Sequence, residues 1–168
     1  MPHAPFNYLL PALLISACAT QAQPPAMTTS PADPAPLIGT DWTGTLTYMN
    51  YQEPFIDVTI PAALEVTETA SGLELFFKYP DEPQANSRYE LTYSDTGSDI
   101  DGKPLTERMV SETGATTLKT VAKCEDMGRA ASCEMVYQIS DADFIQTKFV
   151  TYAESGEQIR RNSYAFTR

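Results

Sequence analysis

The chain has 168 residues, room for one domain of ordinary size with a tail and not for two compact cores. Eleven Lys and Arg stand against 22 Asp and Glu, a formal charge of -11, so its field repels phosphate backbones and anionic lipid headgroups and makes nucleic acid a poor partner. The only His is His3, which removes imidazole triads, imidazole general bases and His-ligated metal sites from a domain that begins later.

The first seventeen residues carry no Lys or Arg, and Tyr8–Ala17 is an apolar stretch of ten residues. That is about half of the ~20 a membrane-spanning helix needs, and it fits the apolar region of a secretory signal over residues 1–17. The stretch ends in Ile15-Ser16-Ala17-Cys18, a branched aliphatic, two small residues and a Cys, followed by an abrupt polar change. This resembles the lipobox of bacterial lipoprotein precursors. The resemblance implies a diacylglycerol on the Cys18 sulfur, cleavage before Cys18, and acylation of the new N-terminus, with palmitate as a typical chain. Ala19 in place of Asp implies the outer membrane, facing the periplasm. Several acyl chains hold a protein firmly, since each buried CH₂ is worth about 0.8 kcal/mol. The alternative is an ordinary secretory signal with a chance Cys.

Residues 18–38 follow as a tether. Beyond Cys18 they are Ala, Thr, Gln, Pro, Ser and Met with a single charge, Asp33, until Leu37 and Ile38. Eight of the thirteen prolines lie before Gly39. Proline at 24, 25, 31, 34 and 36 favours extended polyproline II, with a reach of roughly 60 Å at ~3.1 Å per residue.

From residue 39 to residue 168 the hydrophobic period is two. Leu73, Leu75, Phe77 and Tyr79 alternate with Glu74 and Lys78, and Tyr89, Leu91 and Tyr93 alternate with Arg88, Glu90 and Thr92. Further strands are expected at 42–51, 55–60, 62–69, 104–111, 116–124, 132–140, 144–153 and 157–167, all rich in Thr, Val, Ile and aromatics. No stretch argues strongly for a helix. Ser71-Gly72, Pro80–Pro83, Asp101-Gly102, Glu112–Gly114 and Glu154–Gly156 supply the turns. Eight to ten short strands on tight links predict an all-β, antiparallel up-and-down barrel, with a β-sandwich as the alternative.

Cys124 and Cys133 flank a predicted hairpin turn. Export makes oxidation plausible, so a disulfide is expected, worth roughly 2.5 to 3 kcal/mol for a ring of about ten residues. A redox pair is disfavoured, because the spacing is not C-x-x-C. The acidic stretch Asp95–Gly102 fails as an EF-hand: aligning Gly102 with the turn glycine puts Gly97 at the first ligand position and Arg108 where the bidentate Glu belongs. No nucleophile elbow, phosphate-cradling loop or lone reactive thiol follows Cys18, so no catalytic residue, metal or cofactor is assigned.

The aromatic set is more informative. Tyr48, Tyr79, Tyr89, Tyr93, Tyr137, Tyr152 and Tyr164 fall in expected strands. An inward-facing group, with Tyr79, Tyr89 and Tyr93 foremost, suits a pocket for an amphipathic small molecule, and Arg88, Arg108, Arg160 or Arg161 are available for an acidic headgroup. The competing reading is that strand aromatics only fill the interior.

Gly39-Thr-Asp-Trp42 opens the first strand and Arg160-Arg161-Asn-Ser-Tyr164 occupies the last. This resembles the lipocalin, or calycin, barrel, whose pattern is Gly-x-Trp with the Trp packed on a late Arg at the closed end. Here the spacing is Gly-x-x-Trp. The resemblance implies that Trp42 and Arg161 brace barrel closure and that an open mouth takes a hydrophobic or amphipathic ligand. The leading expectation is thus a noncatalytic, lipid-anchored periplasmic binding module. Its rival is an envelope assembly lipoprotein acting through protein contacts, with a carboxylate-based hydrolase in reserve.

Overall fold

The computed structural model describes Met27–Arg168; the signal stretch, the lipobox with Cys18 and the first part of the Pro-rich stretch lie outside the described residues. Ten strands follow a short 3₁₀ turn at Ala35–Leu37. They are β1 (Gly39–Met49), β2 (Asp57–Glu68), β3 (Gly72–Lys78), β4 (Ser87–Thr92), β5 (Asp99–Ile100), β6 (Lys103–Val110), β7 (Thr116–Asp126), β8 (Arg129–Ile139), β9 (Asp143–Tyr152) and β10 (Gln158–Thr167).

The strands form one antiparallel sheet in the order β4-β3-β2-β1-β10-β9-β8-β7-β6-β5. First and last strands pair from Thr43↔Thr167 to Tyr48↔Asn162, which rolls the meander into a nearly closed barrel. The expected all-β up-and-down barrel is therefore the observed fold. At Gly44 a Cβ would lie 1.9 Å from the Ala165 carbonyl oxygen, so the β1–β10 closure needs glycine there. The remaining gap lies between β4 and β6. β5 is only two residues long, pairs with the start of β6, and meets the end of β4 through the isolated bridge Tyr93↔Ile100 and the Asp101 N–H bond to the Thr92 carbonyl at 2.9 Å.

Two differences from the expected strands have physical causes. The stretches 55–60 and 62–69 form one strand, β2, running through Pro61. Pro61 pairs only with Thr45 of β1, because β3 first joins at Ala63↔Lys78, so the missing N–H faces no ladder partner. The stub β5 lies inside the acidic stretch, where two residues carry no readable alternation; its Asp101-Gly102 hairpin turn has φ of 53° and 67°, as a type I′ turn requires.

Alternate side chains fill the interior as the pleat dictates. Leu64 and Val66 of β2, Leu73, Leu75 and Phe77 of β3, Leu91 of β4, Leu118 of β7, Tyr137 and Ile139 of β8, Phe144 of β9 and Phe166 of β10 are all buried in one cluster. Each fully buried aliphatic or aromatic side chain contributes about 1.5 to 3 kcal/mol. One end is plugged by the chain that precedes β1. Residues 29–38, read from sequence as part of the tether, lie against the barrel instead. Thr29 N–H donates to the Gly97 carbonyl at 2.8 Å, Leu37 is buried, and the carboxylate of buried Asp33 accepts both Nε and NH2 of Arg108 at 2.8 Å. The Leu37 carbonyl in turn accepts Trp42 Nε1–H at 2.8 Å.

Candidate functional site

An aromatic column runs inside the barrel from the plugged end. Trp42 meets Phe144 edge-on at 6.5 Å, Phe144 stacks on Phe166 at 6.2 Å, and Phe166 stacks on Tyr164 at 5.8 Å. Phe77 packs against Tyr164 at 4.6 Å, and the hydroxyls of Tyr164 and Tyr79 share a hydrogen bond of 2.7 Å. Burial and the bond to Tyr79 push the Tyr164 hydroxyl above its ordinary range; burial raises Tyr137 as well, helped by Asp101 and Tyr93. Both phenols stay neutral, apolar ring walls with a polar tip.

Beyond Tyr164 the column is interrupted before a second, smaller buried cluster of Ala131, Cys133, Val150 and Tyr152. A cavity of about 400 Å³ opens there, lined by Phe77 of β3, Ser87 and Tyr89 of β4, Lys103 of β6, Ala122, Lys123 and Cys124 of β7, Cys133, Met135 and Tyr137 of β8, Gln146 and Lys148 of β9, and Tyr164 of β10. Its size falls in the range of small-molecule sites, roughly 300 to 1,000 Å³. Strands on both sides of the seam contribute, so the short β5 is what leaves the interior accessible. Met135↔Lys148 and Tyr137↔Gln146 are cross-strand pairs on the inward face of β8 and β9. Phe144 and Val150, on the same face of β9, are fully buried. Gln146 Oε1 is buried with no hydrogen-bond partner.

The wall of this cavity carries the disulfide. Cys124 and Cys133 are joined, with Cα atoms 5.8 Å apart, as expected from their place at paired strand ends. In the register Ala122 faces Cys133 and Cys124 faces Ala131, so the bridge runs diagonally across β7 and β8 on the inward face.

The expected binding residues divide. Tyr89 lines the cavity, and its hydroxyl donates to Asp101 across the seam. Tyr79 is buried and reaches the site through Tyr164. Tyr93 lies elsewhere, beside a second groove of about 400 Å³ between residues 29–38 and the loops 69–71 and 94–97 at the plugged end. Burial and the charge of Asp33 raise its phenol, whose oxygen is buried without a partner. None of the four arginines expected for a headgroup lines the cavity. Arg88 lies on the outer face, paired with Glu74 and 3.9 Å from the Phe76 ring centre, because it alternates out of phase with Tyr89 and Leu91. Arg108 holds the N-terminal segment through Asp33. Burial alone would raise the Asp33 carboxyl, but its bonds from Arg108 and the Ser30 N–H hold it below its ordinary value.

The expected Trp42–Arg161 brace is corrected as well. The guanidinium over the Trp42 ring, 4.3 Å from its centre, belongs to Arg168. Arg168 also donates to the carbonyls of Pro36 at 2.8 Å, Ile38 at 3.1 Å and Asp141 at 2.8 Å, tying β10 to the plug. Arg161 sits at the other end. A bulge between Arg160 and Asn162 inserts one extra residue, so Arg160 turns outward to Asp57 while Arg161 turns inward. There Arg161 is 1% exposed and grips both Asp126 oxygens, with Nε 2.9 Å from Oδ1. Tyr152 OH donates to Asp126 at 2.7 Å, and the Tyr51 ring covers the guanidinium at 4.5 Å. Desolvation pushes the Asp126 carboxyl up; the Arg161 and Tyr152 bonds outweigh it and hold the group below its ordinary range.

Reading by residue type missed Lys103, Met135, Gln146 and Lys148. A signal for two of them was present: Gln146 and Lys148 interrupt the alternation of Phe144, Val150 and Tyr152, placing polar side chains where a filled barrel would have apolar ones. Among the described residues no group of three or more His, Cys, Asp or Glu is placed to hold a metal ion. No protein-family model matches the chain, and no curated protein matches it.

Proposed function

We propose that this protein is a noncatalytic binding module that holds a small amphipathic molecule in its barrel, and that it is anchored through a lipid on Cys18 to the outer membrane, facing the periplasm. The observation that carries the binding reading is the cavity at the β4–β6 seam, walled by Phe77, Met135, Tyr137 and Tyr164 and carrying a few polar groups. A solid barrel acting only as a scaffold would continue the aromatic column to the far end. The anchoring reading rests on the lipobox pattern and on the stretch that follows it.

Native mass spectrometry of gently purified full-length protein, followed by organic extraction, tests the binding reading. A retained compound, or uptake of apolar fluorescent probes by the emptied protein, is expected; neither one appearing refutes it. Cys18→Ser is expected to abolish fatty-acid labelling and free the protein from membranes. Unchanged labelling refutes attachment at that residue.

A second reading, docking on another envelope protein, is favoured by one observation. Tyr51, Phe55 and Ile56 on the loop between β1 and β2 are 54%, 50% and 56% exposed. Under that reading, Tyr51→Ser with Phe55→Ser abolishes partner crosslinking and leaves probe uptake intact.

A further inference from the structure

Charge is distributed around the barrel in a pattern that bears on the ligand. All eleven Lys and Arg fall within the described residues, and nine of them form salt bridges: Lys78, Arg88, Lys103, Arg108, Lys119, Arg129, Arg160, Arg161 and Arg168. The two cations without one are Lys123 and Lys148, and both line the cavity at the seam. Lys103, whose bridge to Asp101 is a long 3.6 Å, lines it too. The same lining contains no Asp or Glu, in a chain where acids outnumber bases two to one.

Chance placement of acids and bases would give this wall more carboxylates than amines. Lys103 and Lys148 instead share an apolar recess, with Lys123 on the outward face at its rim, which raises the local positive potential against a net charge of -11. Lys148 is central. It lies on the inward face of β9 opposite Met135, two residues from Gln146 with its unpartnered Oε1. Asp126 is the acid whose carboxyl feels the Lys148 charge, and both of its oxygens are already bound by Arg161 and Tyr152. A half-buried ammonium with no salt-bridge partner, in a wall that carries no Asp or Glu, is an incomplete pair.

Resting on the binding reading above, we infer that the cavity selects anionic amphiphiles, with the apolar tail against Phe77, Tyr137 and Tyr164 and a carboxylate or phosphate headgroup on Lys148, supported by Lys103. Lys123, which alternates out of phase with Ala122 and Cys124, supplies longer-range attraction at the rim. This assignment replaces Arg88 and Arg108, which the fold commits to other partners.

The test uses the full-length chain carrying Cys18→Ser, free of detergent, and displacement of the neutral fluorophore N-phenyl-1-naphthylamine. The competitors share one tail: laurate, monododecyl phosphate, 1-dodecanol and dodecyltrimethylammonium, each below its aggregation threshold. The anions are expected to displace the probe at about tenfold lower concentration than the alcohol, and the cation to be weakest. Lys148→Gln is expected to remove most of that gap, while Lys148→Arg retains it. Whichever anion is tighter identifies the headgroup as carboxylate or phosphate. Equal displacement by alcohol and anions, or a gap that survives Lys148→Gln, overturns the headgroup assignment and leaves ligand binding standing. Failure of the neutral probe and of every competitor to bind overturns both.

Discussion

Replacing Asp126 with Asn tests the buried charge cluster most directly. Asn keeps the size of the side chain and leaves Arg161, 1% exposed and still charged, without its counter-ion. Arg161 already has one buried guanidinium nitrogen, NH1, without a partner, so its charge depends on Asp126 for compensation. Breaking one side of a buried pair in this way costs about 3 to 5 kcal/mol. For a domain of this size that corresponds to a fall in Tm of about 10 °C or more. Thermal unfolding followed by circular dichroism at pH 7 measures it. A double variant, Asp126→Leu with Arg161→Met, is expected to recover most of the loss, because no unpaired charge then remains buried.

The same pair fixes the sign of the acid dependence. The Asp126 carboxyl is held below its ordinary value of 3.8 in the fold, so its stabilisation is fully present above that value and is lost as pH falls through the lower, folded one. Wild type should therefore lose stability more steeply than Asp126→Asn as pH drops below about 4. A Tm for Asp126→Asn within 2 °C of wild type, or an equally steep acid limb in both proteins, would refute the assignment of this cluster as a structural ion pair.

Two further outcomes concern the plug and the staple. Trp42→Ala removes a fully buried indole and its bond to the Leu37 carbonyl, with an expected loss of about 3 to 5 kcal/mol by urea unfolding; Arg168→Ala is expected to cost less and to raise protease sensitivity within residues 29–38 first. Cys124→Ala with Cys133→Ala is expected to lower stability by about 2 to 3 kcal/mol while retaining the β-sheet circular dichroism spectrum, since the register of β7 and β8 continues on both sides of the bridge.

Much of the fold was legible because a sheet with one buried face writes itself as alternation. β3 and β4 are the clearest cases, with Leu73, Leu75 and Phe77 and then Tyr89 and Leu91 on one face. The disulfide was legible from two Cys at the paired ends of neighbouring strands. β5 was not, since two residues have no period, and the seam it leaves could not be anticipated. The Trp42 partner was misread for a geometric reason. Trp42 is adjacent to the very end of β10, because Thr43 pairs with Thr167, whereas Arg161 lies beyond Tyr48↔Asn162 near the opposite end of the strand. Of the last strand's arginines, the register puts Arg168 beside Trp42.

The interior positions of β9 bear most heavily on whether the barrel is a container or a solid scaffold. Phe144, Gln146, Lys148, Val150 and Tyr152 share one face, and the first and last two are buried in packed clusters. A sequence shaped only for packing would place Leu or Val at 146 and 148, since an inward amide or ammonium costs free energy wherever it lacks a partner. The two polar residues instead face Tyr137 and Met135, at the place where the aromatic column stops and the seam opens. Substituting both with Phe should raise the Tm by replacing the unpartnered polar groups and filling part of the void, while abolishing probe uptake. A gain in stability without loss of uptake would mean that the cavity is a packing defect and that binding occurs elsewhere.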